Sequence, residues 1–255
     1  MNPSISVADF SRLREPIVID VRWTLGGASR HPDYLSAHIP NAYFLELDTD
    51  ITGEPGSVGG RHPLPDVNQL QTTLRDVGVN NDSTIVIYDD GAPLAAARTW
   101  WTLRWAGLTE VTVLEGGFAA WCEAGRGVES GSTALPEPGG VTLDPGRLPL
   151  LEADDIPEWV ESHNLVDVRT PERYRGDEEP IDPVAGHIPG AINIPMTDAD
   201  SVADIEDAAF YCGSGVTAAM AAWTQASHGK DVPPIYVGSW SDWISHERDV
   251  AVGEA

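Results

Sequence analysis

AAFYCGSGVTAAMAAW, residues 208–223, stands beside IVIYDDGAPLAAARTWW, residues 85–101, and the pair decides the fold of this chain. Each runs from an apolar strand-like stretch, through a short turn rich in small or polar residues, into an alanine-rich stretch that favours helix. Three further pairs occur in the same order. IVIDVRW (17–23) matches LVDVRT (165–170), AHIPNA (37–42) matches GHIPGA (186–191), and EGGFAAW (115–121) matches VGSWSDW (237–243). Four ordered matches indicate a duplicated unit. The copies differ in one interval: 51 positions separate His38 from Asp89, but only 25 separate His187 from Cys212. The first copy has a helical pattern there at Leu70, Leu74 and Val77, so the second copy is expected to lack that helix or keep a short one.

Each copy alternates short β-branched runs with helical stretches, which predicts an α/β fold with a mostly parallel sheet flanked by helices. The strand-like runs are Ile17–Val21, Thr84–Tyr88 and Val111–Leu114, then Leu165–Val168, Ala209–Tyr211 and Ile235–Val237. Residues 128–149 are rich in Gly, Pro and Ser and read as a linker between a first domain over 1–127 and a shortened second domain over 150–255. In such sheets ligands gather at the carboxyl ends of the strands.

The net charge of −25 and a single lysine, Lys230, disfavour nucleic acid and anionic membranes as partners. The amino-terminal stretch has no basic region followed by a long apolar one, and no apolar run reaches membrane-spanning length, so a cytoplasmic protein is expected. Two cysteines 90 residues apart form no disulfide framework, and no His/Cys spacing suggests a zinc site; no cofactor is expected.

Cys212 directly follows a strand. Gly213, Ser214 and Gly215 allow a tight turn, and Val216 and Thr217 open a helix. A strand–loop–helix of this kind turns several backbone N–H groups toward one point and favours an anion there, here a thiolate or a sulfur species carried on it. Neutral amides thereby make a locally positive pocket on an acidic protein. Cys122, in FAAWCEAGR, lacks such a setting and reads as a packing residue near a helix end. Asp167 with Arg169 and Asp20 with Arg22 recur in both copies and read as structural ion pairs. His38 and His187 recur likewise and read as fold-keeping hydrogen-bonding residues, and Trp240 and Trp243 as core partners matching Phe118 and Trp121. A cysteine phosphatase would need an arginine soon after the cysteine to bind phosphate, and none occurs between Cys212 and Lys230.

With CGSGVTA, both His-Ile-Pro motifs, the GGF/GSW pair and AAARTWWTLRWAG, the chain resembles the two-domain rhodanese family of sulfurtransferases over roughly residues 5–250. The resemblance implies tandem rhodanese-like domains, the first catalytically silent because Asp89 stands where Cys212 would fall. CGSG resembles the 3-mercaptopyruvate sulfurtransferases, whereas CRKG marks thiosulfate sulfurtransferases. The implied chemistry is a ping-pong transfer through a Cys212 persulfide, held by the amides of Gly213, Gly215, Val216 and Thr217. The outer sulfur passes to thioredoxin, a low-molecular-weight thiol or cyanide. A proton relay through Ser214, His62 and Asp48 is also implied, as is binding of the substrate carboxylate by Arg173. The second arginine these members carry nine positions later is Asp182 here, so either carboxylate binding is weakened or Arg175 or Arg61 substitutes. The alternatives are a thiosulfate:cyanide sulfurtransferase, or a non-catalytic sulfur carrier or redox sensor.

Overall fold

Strands buried on both faces need a continuous apolar run, and Ile85–Tyr88 and Ala208–Tyr211 supply one each: every residue in both is buried. These two strands lie at the centres of two five-stranded sheets. The computed structural model describes residues 2–56 and 59–254. It divides into two units, one of residues 1–53 and 65–147, the other of residues 54–64 and 148–255.

The first unit contains β1 (Ser4–Ile5), α1 (Val7–Phe10), β2 (Ile17–Asp20), α2 (His31–Ser36), β3 (Ala42–Phe44), α3 (Val67–Asp76), β4 (Ile85–Tyr88), α4 (Leu94–Trp105), β5 (Val111–Leu114) and α5 (Gly117–Glu123). The second contains β6 (Leu150–Leu151), α6 (Ile156–Trp159), β7 (Asn164–Asp167), α7 (Pro171–Arg175), β8 (Ile192–Asn193), α8 (Ala199–Asp204), β9 (Ala208–Tyr211), α9 (Val216–Ser227), β10 (Ile235–Tyr236) and α10 (Ser239–Ser245). The sheet orders are β1-β5-β4-β2-β3 and β6-β10-β9-β7-β8. They are the same order under the repeat, and every pairing is parallel.

The unequal interval has a structural form. The first unit uses it for a π-helical turn at Leu47–Ile51 and for the ten-residue α3, capped by the Asp66 carboxylate and burying Leu70 and Leu74. The second unit keeps only the six-residue α8. The edge strands β1, β3, β6 and β8 are two or three residues long, too short to give a sequence periodicity. The segment at 128–147 is almost entirely irregular, but it packs along the first unit. Gly139 and Val141 N–H donate to the Arg75 and Val79 carbonyls, and Val141 is fully buried.

The recurring polar residues form one buried arrangement, built twice. Asp20 takes a forked pair of bonds from Arg22, whose Nη2 also donates to the Ala37 carbonyl; Asp167, Arg169 and the Gly186 carbonyl repeat this. His38 and His187 bond through Nδ1 to the carbonyls of Tyr34 and Tyr174 and stack on the same tyrosines. Removing one partner of such a buried pair leaves an uncompensated charge and costs about 3–5 kcal/mol. Cys122 departs from its expected packing role: it lies on the outward side of α5 and is exposed. Among the described residues no helix is long and apolar enough to cross a membrane.

Candidate active site

β9 delivers Cys212 at its carboxyl end, and four residues later α9 begins. So short a loop is possible because Gly215 takes a left-handed conformation (φ 83°) that side chains disfavour. The consequence falls on the sulfur: Gly215 N–H donates to Cys212 Sγ at 3.1 Å. Val216 and Thr217 are the first residues of α9, whose opening N–H groups have no partner inside the helix. Ala218, Ala219, Ala221 and Ala222 are fully buried, so the helix packs closely behind the loop.

The loop is pinned from below. Cys212 N–H donates to Ser239 Oγ at 3.1 Å, and that hydroxyl donates to the Tyr236 carbonyl at 2.9 Å. Trp240 and Ser241 N–H donate to the carbonyls of Cys212 and Gly213, both at 3.0 Å. Ser239 holds φ 56°, a strained value for a residue with a side chain. Cys212 is buried, with 3% of its surface exposed.

Residues 54–64 belong to the second unit and bring two side chains to this loop. Gly59 N–H donates to Asp242 Oδ1 at 2.7 Å and Arg61 N–H to Ser241 Oγ at 3.1 Å. Gly60 admits no side chain, since a Cβ there would lie 2.5 Å from both the Gly238 carbonyl oxygen and Ser241 Oγ. Anchored so, His62 places Nδ1 2.8 Å from Ser214 Oγ, and both residues are buried.

Beside this pair lies a ladder of alternating charge. Arg61 pairs with Asp182, Asp182 with Arg173 (3.2 Å), Arg173 with Glu179 (2.8 Å), Glu179 with Arg169 (3.2 Å), and Arg169 with Asp167 (2.6 Å). Burial raises the Asp182 carboxyl above its ordinary value, against the pull of Arg61. Burial acts on Glu179 in the same direction, but bonds from Arg173 and from the Asp182 and Ile181 amides outweigh it and hold that carboxyl low. The ladder's outer end reaches the cysteine loop. A Cβ built on Gly213 would sit 3.1 Å from Arg61 Nη2 and 3.5 Å from Arg173 Nη1 and Nη2.

The structure therefore gathers Cys212, Gly213, Ser214, Gly215, Val216, Thr217, His62 and Arg173, with Arg61, in one unit. Arg175 turns instead to Asp177 (2.8 Å) and Glu172 (3.6 Å). Asp48 lies exposed on the π-helical turn of the first unit, where its Oδ1 accepts from Trp23 Nε1–H at 2.9 Å. Glu179 and Ser239 escaped sequence reasoning. Glu179 sits in an acidic loop without periodicity. For Ser239 the signal was present: it replaces the Gly117 of the other copy.

The sequence pattern of the rhodanese-like domain matches residues 6–124 and again 152–246. This chain belongs to the rhodanese family. Among its relatives is a Mycobacterium tuberculosis protein named, provisionally, as thiosulfate sulfurtransferase SseB; it is 38% identical over 93% of this chain and 91% of its own. A Pseudomonas aeruginosa protein named, again provisionally, as a 3-mercaptopyruvate sulfurtransferase is also 38% identical, over 96% of this chain and 95% of its own. The crystal structure of the Escherichia coli 3-mercaptopyruvate sulfotransferase SseA superposes with a TM-score of 0.80, at 25% identity, over 94% of this rhodanese-family chain and all of that one.

Proposed function

We propose that this protein is a sulfurtransferase that takes the thiol sulfur of 3-mercaptopyruvate onto Cys212, where it becomes the sulfane sulfur of a persulfide, and passes it to a thiol or to cyanide. The observation that carries the reading is Cys212 Sγ at the mouth of α9, accepting the Gly215 N–H, with Ser214 bonded to His62 beside it. The Cys212 thiolate attacks the substrate sulfur. The carbon–sulfur bond breaks, and its electron pair leaves on carbon as the enolate of pyruvate. That enolate takes a proton through Ser214, whose hydroxyl His62 supports. The persulfide left on Cys212 is held by the N–H groups of Gly213 to Thr217, which offer a fixed positive field to the terminal sulfur. An acceptor thiolate then attacks the outer sulfur and regenerates the Cys212 thiolate. Arg173 receives the substrate carboxylate. Asp48 enters this proposal as the orienting carboxylate of His62 by the family pattern alone. The first domain is silent, the site belongs to the second, and the acceptor is thioredoxin or a low-molecular-weight thiol in the cytoplasm, where thiols are kept reduced.

The relative named for thiosulfate is as similar as the one named for 3-mercaptopyruvate, which supports thiosulfate as a second donor. The deciding experiment compares kcat/KM for the two donors with cyanide as common acceptor, in wild type and Cys212→Ser. The expected result is a preference for 3-mercaptopyruvate, lost at least about a thousandfold in the serine variant, since the nucleophile is removed. A preference for thiosulfate would overturn the donor assignment and leave the enzyme class standing. No Cys212-dependent turnover with either donor would replace the enzyme by a carrier or sensor.

A further inference from the structure

We propose that Arg61 and Asp182 together select the sulfur donor by charge: Arg61 supplies the second guanidinium for a single carboxylate, and Asp182 withholds the surplus positive charge that a dianion needs. The inference rests on the sulfurtransferase reading and specifies how that site chooses its substrate.

Three observations carry it. Arg61 Nη2 and both terminal nitrogens of Arg173 converge on the space above Gly213, next to the nucleophile. They come from different segments, Arg61 from the clamp at 59–62 and Arg173 from α7, and Asp182 binds both. Arg61 Nε is buried and has no hydrogen-bond partner among the described residues, while its Nη1 is committed to Asp182. A buried guanidinium donor left unpaired is costly, and an incoming oxygen relieves it. The ladder from Arg61 to Asp167 carries three positive and three negative groups, so the site has guanidinium donors with little net charge. Such a site suits a carboxylate that needs directional hydrogen bonds. It disfavours a compact dianion such as thiosulfate, which must also meet the field of Asp182.

Replacing Asp182 by Asn keeps its shape and removes its charge. Asp182→Asn is expected to raise kcat/KM for thiosulfate relative to 3-mercaptopyruvate by about tenfold, the factor expected when an unfavourable charge contact worth about 1.4 kcal/mol is removed. Arg61→Ala is expected to raise KM for 3-mercaptopyruvate about tenfold with kcat nearly unchanged, and Arg61→Lys to recover part of the loss, since a point charge replaces a fork. An unchanged donor ratio in Asp182→Asn, or a loss in Arg61→Ala confined to kcat, would overturn the proposal and leave both residues structural. Pyruvate binding to the full chain, followed by tryptophan fluorescence, separates this from failure of the parent reading. If wild type turned over neither donor, pyruvate affinity that weakened in Arg61→Ala would keep the anion anchor, and affinity that did not would remove it.

Discussion

The loops after β4 and β9 leave equivalent strands and enter equivalent twelve-residue helices, yet the helix mouth holds a carboxylate in one and a thiol in the other. After β4, Asp89 folds back into the helix mouth, where its carboxylate accepts from Ala96 N–H (3.2 Å) and Gly91 N–H (3.4 Å). Asp90 takes the nearby cations, Arg30 at 2.7 Å and Arg22 at 3.9 Å. After β9 the corresponding positions are Cys212 and Gly213. The amide of Gly215 meets a sulfur, and the arginines stand over a glycine that offers them no partner. The first loop thus carries its own carboxylates for both its amides and its arginines, whereas in the second the amide meets a thiol and the arginines pair with Asp182 and Glu179 from outside the loop.

The sharpest way to break this comparison is to move the thiol. In a Cys212→Ser background, Asp89→Cys should restore no sulfur transfer, remaining at least about a thousandfold below wild type. A thiol at 89 would have no hydroxyl like that of Ser214, since Gly91 holds that position, and the Asp90 carboxylate would still occupy the arginines. Helix α4 also opens after Pro93, which has no N–H to give. The measurement is cyanide-dependent turnover with either donor. Recovery to within tenfold of wild type would show that the residue alone, and not the loop, makes the site.

A smaller effect tests the first loop itself. Burial pushes the Asp89 carboxyl up to about 7 from 3.8, although the amides of Ala96 and Gly91 pull the other way. Below pH 3.8 the folded and unfolded chains both hold the proton. Between 3.8 and about 7 the folded chain holds a proton that the unfolded chain has released, so the stability from this group falls as pH rises, and above about 7 the penalty is constant. Asp89→Asn keeps the shape without the charge. It should therefore melt higher than wild type at pH 8, by an amount corresponding to a few kcal/mol, and nearly equal to it at pH 4. Thermal denaturation of both proteins across that range decides it. A constant offset at every pH would mean that the carboxylate stays charged throughout, with the helix mouth as its counter-charge.

How far this contrast was legible in the sequence depended on which residues touch in sequence order. The duplication, the parallel sheets and the Cys212 loop could be read because strand runs of four apolar residues and helices of ten to twelve leave a period. The role of Asp90 could not, because its partner Arg30 lies in a loop 60 positions away and no local pattern joins them. The clamp at 59–62 was hidden for the same reason. Two glycines before Arg61 signal a turn, but not that Gly60 must press against Gly238 and Ser241. Asp182 was visible as a departure from the family pattern, yet its effect depends on Arg61, whose approach is a tertiary fact. The unequal interval was legible as a lost or a shortened helix, because losing 26 residues removes a whole periodic segment, and the structure has the short one, α8.

The finest difference lies under the two loops, at Gly117 and Ser239, which share a left-handed backbone with φ 55° and 56°. Gly117 takes it without strain, and a Cβ there would be only 2.3 Å from the Asp89 carbonyl oxygen. Ser239 bears its side chain in the same conformation at a cost of about 1 kcal/mol. The return on that strain is the hydroxyl that receives the Cys212 N–H and fixes the backbone bearing the thiol. Ser239→Gly removes strain and hydrogen bond together, so stability should change by no more than about 1 kcal/mol while kcat falls about threefold to tenfold. The two readouts separate because strain relief appears only in stability and loss of positioning only in turnover. If kcat held while the melting temperature rose, the serine would be a tolerated strain without a task, and the loops would differ only above the sheet. If both fell, the hydrogen bond would outweigh the strain, and the second copy would be the more firmly built of the two.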